Sequence, residues 1–309
     1  MKISPIFYMG NKRRLINKGL IDLFPKNIDC FYEPFAGSAI VSMNVKANSY
    51  VINDICKPLY DLYKMFTNYD LDTIVNHINK RIDEYGLPRE RTKRNVYADL
   101  GKLEEYRNAY VKFRDYYNTN PNILDFYVLT FFSFSQTFRF NVNGEFNMPF
   151  GCDCYTEEHN AYIKNGIDLF SDKNTSIYNL SFDNLLSLFD FTSNSFIYFD
   201  PPYLGTTAVY NENKQSFSEW TEGIELRFRN LCENLSSKGI KFALSNVYRN
   251  KNFVNTSLIE WVEHNSFYVH KFGNYSYVAN GKGNADTEEV LIMNYKPLHL
   301  NTSISKKLF

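Results

Sequence analysis

Short β-rich runs alternate with helical stretches in two separate blocks of this chain, and that alternation limits its fold more than any other feature. In the first block Asp29–Tyr32 reads as a strand, a turn containing Gly37 follows, and Ile40–Ala47 reads as a helix. Tyr50–Ile52 then reads as a second strand, ending at Asn53-Asp54. The second block carries strand patterns at Ser176–Asn179, Phe196–Phe199 and Lys241–Ser245, with Phe267–Lys271 and Glu289–Asn294 as a closing antiparallel pair. A helix over Gly223–Ser237 is expected to bury Leu226, Leu231 and Leu235 on one face. Strand-helix alternation of this kind predicts an α/β fold: a mostly parallel sheet with helices on both faces.

The stretch between the blocks, Pro58–Asp168, has another character. It reads as helices over Leu71–Tyr85, Leu100–Tyr117 and Ile123–Phe134, followed by a loop or hairpin around Asn143-Gly144. Here the charge balance matters. The 34 basic and 34 acidic side chains cancel, so binding to nucleic acid would need a local basic patch. Arg89–Arg94 places four basic residues among six, and Arg81–Arg114 holds nine basic against six acidic residues. On its own, such a run is more often a solvated helix face than a binding surface. No run approaches the roughly 20 apolar residues needed to span a bilayer, and Met1–Pro5 lacks the pattern of a secretory signal. A soluble, cytoplasmic protein without membrane contact is expected. Cys152 and Cys154 are spaced C-x-C with no second thiol pair, and the five histidines show no ligand spacing, so no metal is expected.

The strongest chemical signal is Asp200-Pro201-Pro202-Tyr203, directly after the apolar run Phe196–Phe199. Two prolines lack N–H groups and have fixed φ, so the chain forms a stiff ledge whose carbonyls are free to accept hydrogen bonds. Asp200 adds a carboxylate acceptor and Tyr203 a flat ring. An exocyclic amino group could donate to Asp200 and the Pro201 carbonyl while its heterocycle stacks on Tyr203. A rigid turn at a strand end, with Asp200 merely capping the next segment, is the plainer alternative. A second signal is Glu33-Pro34-Phe35-Ala36-Gly37, where a glycine after the first strand lets backbone approach a ligand. It is not G-x-G-x-x-G, so dinucleotide binding gains little support. Asp54 ends the second strand where an acidic residue would hold ribose hydroxyls.

E-P-F-A-G, N-D at a second strand end and D-P-P-Y, in this order, resemble the Dam-type (D12 class) adenine-N6 DNA methyltransferases. Phe7-Tyr8-Met9-Gly10-Asn11-Lys12 is similar to that family's opening element, and Arg139–Gly151 resembles its DNA-reading hairpin, R-Y-N-x-x-G-x-F-N-V-P-[FY]-G. The resemblance covers Ile6 to about Tyr295. It implies a Rossmann-like catalytic domain of the S-adenosylmethionine-dependent type over residues 1–57 and 169–309. A mainly helical target-recognition domain would be inserted at 58–168. Tyr8 and Lys12 would contact S-adenosylmethionine, and Glu33, Pro34, Phe35, Ala36 and Gly37 would line its methionine part. Asp54 would bind the ribose, Ser181 and Phe182 would bracket the adenine ring, and Asp200 would lie near the cofactor's amino group. Asp200, Pro201, Pro202 and Tyr203 would hold the target adenine, flipped out of duplex DNA, with Tyr210 closing over it. Arg139, Asn141 and Asn143 would contact DNA.

Three departures stand out. The family's turn usually reads G-x-G, whereas Ala39 is second here, with a methyl group expected to narrow the cofactor pocket. Ser181 replaces a common Asp, and Cys152-Asp153-Cys154 replaces the basic residues common after the hairpin. The resemblance implies a monomeric DNA (adenine-N6)-methyltransferase acting at GATC or a site containing it. A separately encoded restriction endonuclease would complete a restriction-modification pair. Methylation of RNA adenine or of cytosine N4, and a catalytically silent DNA-binding module, are the other readings. A glutamine methyltransferase would more naturally carry Asn-Pro-Pro-Tyr, and no Pro-Cys dipeptide of the cytosine-C5 enzymes occurs.

Overall fold

The computed structural model describes residues 1–91, 94–203, 220–250, 253–275 and 287–297. In its first half come α1 (Arg13–Asn17), β1 (Cys30–Glu33), α2 (Ile40–Asn44), β2 (Ser49–Asn53) and the helices α3 (Lys57–Asn68), α4 (Leu71–Tyr85), α5 (Arg94–Asp99), α6 (Leu103–Thr119) and α7 (Ile123–Phe132). The second half holds α8 (Glu158–Phe170), β3 (Thr175–Tyr178), α9 (Phe182–Leu186), β4 (Ser195–Phe199), α10 (Glu222–Ser237), β5 (Lys241–Asn250), β6 (Phe253–Val254), α11 (Thr256–His264), β7 (Tyr268–Tyr275) and β8 (Thr287–Met293).

The strands form one sheet in the order β3-β2-β1-β4-β5-β8-β7, with β6 paired to the end of β5. The pairs from β3 to β5 are parallel, and β8 runs antiparallel to both β5 and β7. Strand order reverses between β1 and β4, whose carboxyl ends therefore sit side by side with their outgoing loops diverging. That is where open α/β sheets bind ligands.

Alternation along each strand assigns the two faces. Phe31, Phe196, Tyr198, Leu291 and Met293 pack with Leu15, Ile40 and Val41 on one side. Tyr32, Ile197, Phe199, Val290 and Ile292 pack with Phe228, Cys232 and Leu235 of α10 and Leu258 of α11 on the other. A third cluster runs from Met43 and Ile52 through Leu59, Tyr63 and Phe66 of α3 into α4, α6, α7 and α8. The helices of the middle stretch thus share their core with an edge of the sheet, and the expected boundaries at 58 and 168 fall inside α3 and α8.

Local signals explain several bounds. Asp70 accepts from the Thr73 N–H at the start of α4, and Gly86 ends that helix with φ of 71°. The expected hairpin is present: Phe140 and Phe146 bridge, and the Gly144 N–H donates to the Asn141 carbonyl. Gly151 at its base is required by close approach, because a Cβ there would lie 2.5 Å from the Ser133 carbonyl oxygen. Two expectations need correction. Helices α3 and α8 are present where the sequence pattern predicts no separate element. In α10 the buried stripe is Glu225, Phe228, Arg229, Cys232 and Leu235, while Leu226 is 60% exposed. Glu225 and Arg229 occupy interior positions because they pair at 2.8 Å, with Trp220 donating to Glu225 and Arg229 Nη1 donating to Ser257, although the buried Arg229 Nη2 finds no hydrogen-bond partner. A charged pair so engaged can take positions that a search for leucines would deny it.

Candidate active site

The loops leaving β1, β2, β3 and β4 enclose a cleft of about 1010 Å3 of empty space, its open mouth included. It is lined by Tyr8, Lys12, Glu33, Pro34, Phe35, Ala36, Gly37, Asp54, Ser181, Phe182, Asp200 and Pro202. All the residues expected around the cofactor therefore meet in one place. Of the D-P-P-Y ledge, Tyr203 reaches the cleft through its hydroxyl, which donates to Asp200 Oδ1 at 2.9 Å. Tyr210 lies outside the described residues.

Asn53 holds this arrangement together. Wholly buried, it donates to the carbonyls of Pro34 and Leu180 and accepts from the Leu180 N–H, which ties the turn after β1 to the loop after β3. Asp54 beside it accepts from the Gly37 N–H at 2.9 Å through Oδ2 and from the Cys56 N–H at 2.9 Å through Oδ1. Each oxygen keeps a further lone pair for a hydroxyl. Gly37 itself has φ of 52°, and a Cβ would come within 3.2 Å of the Tyr8 ring, so both backbone and space demand glycine. The Tyr8 ring stacks in turn on Phe138 at 5.5 Å.

Ala39 corrects an expectation. Its side chain is fully buried in the core and does not line the cleft, so its methyl group does not narrow the pocket. The departure instead falls on the backbone: Ala39 caps α2 with φ of 54°, a left-handed conformation costing an L-residue roughly 1–2 kcal/mol.

Carboxylates dominate the cleft. Burial pushes Glu33 up to about 8, although the Ser42 N–H and hydroxyl donate to its Oε2 and oppose the rise. Burial likewise lifts Asp54 to about 6, against the two N–H groups that it binds. Asp200 is raised by burial too, while Lys12 and Tyr203 pull the other way. The Lys12 Nζ lies 2.6 Å from Asp200 Oδ2, 3.9 Å from Glu289 Oε1 and 2.8 Å from the Gly10 carbonyl. Lys12 therefore sits on the D-P-P-Y carboxylate. Two buried acids, Glu33 and Asp54, that pair with no cation among the described residues suit a cationic ligand, and the Phe35, Phe182 and Trp220 rings, with centroids 5.6–5.9 Å apart, suit a flat apolar one. The donor and ring set fits S-adenosylmethionine, which carries a sulfonium, an ammonium and a purine.

Sequence reading misses Trp220, Ile224 and Arg227, which line the cleft from the start of α10 and the residues just before it. The signal available is Thr221, whose hydroxyl caps α10 by accepting from Ile224 N–H. Glu289 and its partner Arg14 escape it also, and nothing local in a strand pattern marks them. The hairpin residues stand away from the cleft. Asn141 accepts from the N–H groups of Asn143 and Glu145 and donates to the Glu145 carboxylate, while Arg139 binds Asn147, so each is used within the hairpin. Nearby, Phe134 is 59% exposed beside Ser135 and Gln136, both at positive φ. An exposed ring held by strained backbone is a mark of a functional surface.

Similarity to known proteins follows the same outline. Residues 8–271 match the model of the D12 class N6 adenine-specific DNA methyltransferases. The chain is 38% identical to "Modification methylase StsI" of Streptococcus sanguinis over 96% of its own length and 44% of that protein's. It is 32% identical to "Type II methyltransferase M.FokI" of Planomicrobium okeanokoites, over 94% of the chain and 43% of that protein. The chain thus spans less than half the length of these two relatives. With the "DNA adenine methylase" of Escherichia coli K12 it shares 26% identity over 87% of both. The family match runs from Tyr8, against the Gly37 turn, past Asp54 and Asp200 into β7, and the chain belongs to the D12 class N6 adenine-specific DNA methyltransferase family.

Proposed function

We propose that this chain transfers a methyl group from S-adenosylmethionine to the N6 amino group of adenine in duplex DNA. The observation that carries the reading is the meeting of the Asp200 ledge with the acidic, ring-walled cleft at the switch between β1 and β4. Tyr8, Glu33, Gly37, Asp54, Phe182 and Trp220 would hold the cofactor, which supplies an electrophilic methyl group on sulfonium sulfur.

The chain's own task is to make a poor nucleophile attack. The N6 lone pair of adenine is delocalised into the ring. Donation from N6–H to Asp200 and to the Pro201 carbonyl would draw the nitrogen towards tetrahedral geometry and localise that pair. The Tyr203 hydroxyl, donating to Asp200 Oδ1, fixes the carboxylate plane, so positioning and charge stabilisation carry the catalysis. A base inside a duplex cannot reach this ledge and must be flipped out, at a cost of a few kcal/mol, partly offset by stacking on Tyr203 worth ~1–3 kcal/mol.

Residues 58–168 would form the target-recognition part, with Arg139, Asn143 and the exposed Phe134 facing DNA. Asn141 would act through the shape of the turn, since its amide is already engaged. A target containing GATC, and service as the modification partner of a separately encoded endonuclease, complete the proposal. The relatives named as modification methylases support that last point.

The test is methyl transfer from labelled S-adenosylmethionine to unmethylated duplex DNA, with Asp200→Ala alongside and the modified base identified. N6-methyladenine from the wild type alone is the expected result, and sequencing the product gives the target. Cofactor binding without transfer to DNA would redirect the reading to RNA. Absence of both binding and transfer would leave a silent DNA-binding module.

A further inference from the structure

Before any substrate arrives each oxygen of Asp200 already meets one donor, Oδ1 the Tyr203 hydroxyl and Oδ2 the Lys12 ammonium at 2.6 Å. A target amino group brings a further donor to this carboxylate, where the Lys12 ammonium competes with it for Oδ2. The second carboxylate near its Nζ is Glu289, whose Oε1 lies 3.9 Å away. Glu289 stands on β8 with Leu291 and Met293, on the sheet face covered by α1, which brings it under the Lys12–Arg14 segment. It is buried between two cations, with Arg14 Nη2 at 3.2 Å from its Oε2 and Lys12 Nζ at 3.9 Å from its Oε1.

We propose that Glu289 is a positioning residue for the transfer reaction: it receives the Lys12 ammonium when the amino group of the target base takes the Asp200 carboxylate. The inference rests on the function proposed above and deepens it. A shift of roughly 1 Å brings Nζ from 3.9 Å into hydrogen-bond range of Oε1, a side-chain movement that leaves the backbone in place. The Gly10 carbonyl, 2.8 Å from Nζ, is a pivot that accepts before and after. The Tyr203 ring, whose centroid is 5.6 Å from Nζ, favours a cation at this place. Moving the ammonium from Asp200 to Glu289 has two consequences. It leaves Oδ2 less contested for N6–H, and it weakens the pull of the charge that most restrains the basicity of Asp200, so the carboxylate grips a donor better as the base enters. Arg14 is 39% exposed at its side chain and can turn to water, so removing the Glu289 charge need not cost the fold.

The experiment is single-turnover methyl transfer to unmethylated duplex DNA across a pH series, with cofactor binding measured by calorimetry on the same samples. The proteins are wild type, Glu289→Gln, Glu289→Asp, Lys12→Met and the double variant Lys12→Met/Glu289→Gln. Expected for Glu289→Gln is a turnover loss of about tenfold or more with cofactor affinity within about twofold. Glu289→Asp, which keeps the charge, should recover part of it. Lys12→Met should move the acidic limb of the pH profile to higher pH, because Asp200 loses its counter-ion, whereas Glu289→Gln should not. The double variant should be no slower than Lys12→Met alone, since Glu289 acts through Lys12. Wild-type turnover in Glu289→Gln, multiplying effects in the double variant, or a rate loss matched by lost cofactor affinity would each overturn the inference while the proposed function stands. An inactive wild type would remove both.

Discussion

Two settings for a buried carboxylate coexist in this molecule. On α7, Asp125 is fully buried and accepts from Arg81 Nε at 2.7 Å and Nη2 at 2.9 Å, with His77 Nε2 and Asn122 Nδ2 each at 2.7 Å. Burial opposes its ionisation, yet hydrogen bonds from His77, Arg81 and Asn122 outweigh it and hold the carboxyl at about 2. In the cleft, Glu33 and Asp54 are buried as deeply, meet mostly backbone and hydroxyl donors, and end at about 8 and about 6. Burial is common to both regions; compensation differs. The helical region neutralises its buried charge with its own cations, whereas among the described residues Glu33 and Asp54 pair with none, which suits a site for a cationic ligand.

The sharpest way to break this comparison is to neutralise one acid from each region. Asp200→Asn should lower methyl transfer by about 10³-fold, the scale of losing a group that acts in the transition state, with a melting temperature near that of wild type. Asp125→Asn should do the reverse. It breaks the bidentate Arg81 pair and the His77 contact at a buried carboxylate, leaving Arg81 with Glu84 alone, and should lower unfolding stability by roughly 3–5 kcal/mol in denaturant titration, with the surviving folded protein still active. Equal destabilisation by the two substitutions would mean that the cleft acids are structural after all.

A smaller effect is expected at Asp54. Asp54→Asn removes the charge that holds the Gly37 and Cys56 N–H groups and faces the proposed ribose site. Hydrogen bonds to charged groups are worth ~1.5–3 kcal/mol, so calorimetry should show cofactor affinity reduced by about 10- to 100-fold. Affinity within twofold of wild type would show that Asp54 serves the turn alone.

The same contrast explains what can be read from the chain without its structure. The parallel sheet, the strand ends and the D-P-P-Y ledge are legible because each arises from a local pattern: alternation, a Gly turn, a pair of prolines. The bounds of α4 are legible because Asp70 and Gly86 punctuate them. What escapes depends on distant partners. Nothing within a strand pattern marks Glu289 as the neighbour of Lys12, and a leucine count misassigns α10 because Glu225 and Arg229 pair with each other inside. Asn141 has the side chain of a base reader, but its amide closes the hairpin turn.

Acidity separates the two regions further, and the sign can be worked out. Glu33 and Asp54 have folded values above the ordinary carboxylate range, so folding takes up protons and the unliganded chain loses stability as pH rises through about 6 and then about 8. Asp125 has a depressed value, so its contribution is present above the ordinary carboxylate range and is lost as pH falls towards about 2. Acid should therefore loosen the helical region and alkali the cleft, visible as opposite pH trends in hydrogen exchange of the two. A cationic cofactor reverses the trend in the cleft, because it prefers the ionised acids. Its affinity should climb by up to roughly tenfold per pH unit between pH 6 and 8, with proton release countable by calorimetry in buffers of different ionisation heat. Glu33→Gln should flatten that slope; a slope unchanged in the variant would mean that Glu33 takes no part in it.

Ala39 offers the finest test, because it belongs to both regions at once: its backbone turns the chain at the cleft wall and its methyl group packs in the core shared with the middle helices. Ala39→Gly relieves a left-handed conformation costing roughly 1–2 kcal/mol. It also adds backbone freedom to the unfolded chain, worth ~0.5–1 kcal/mol, and loses a buried methyl group worth ~0.8 kcal/mol. These oppose one another, so stability should shift by no more than about 1 kcal/mol in denaturant titration. Cofactor affinity should not move, because the methyl group faces the core and the Gly37 N–H that meets Asp54 is unaltered. A severalfold gain in affinity would mean that the Ala39 methyl group reaches the ligand, and that cleft and core are less separate at this turn than the packing shows.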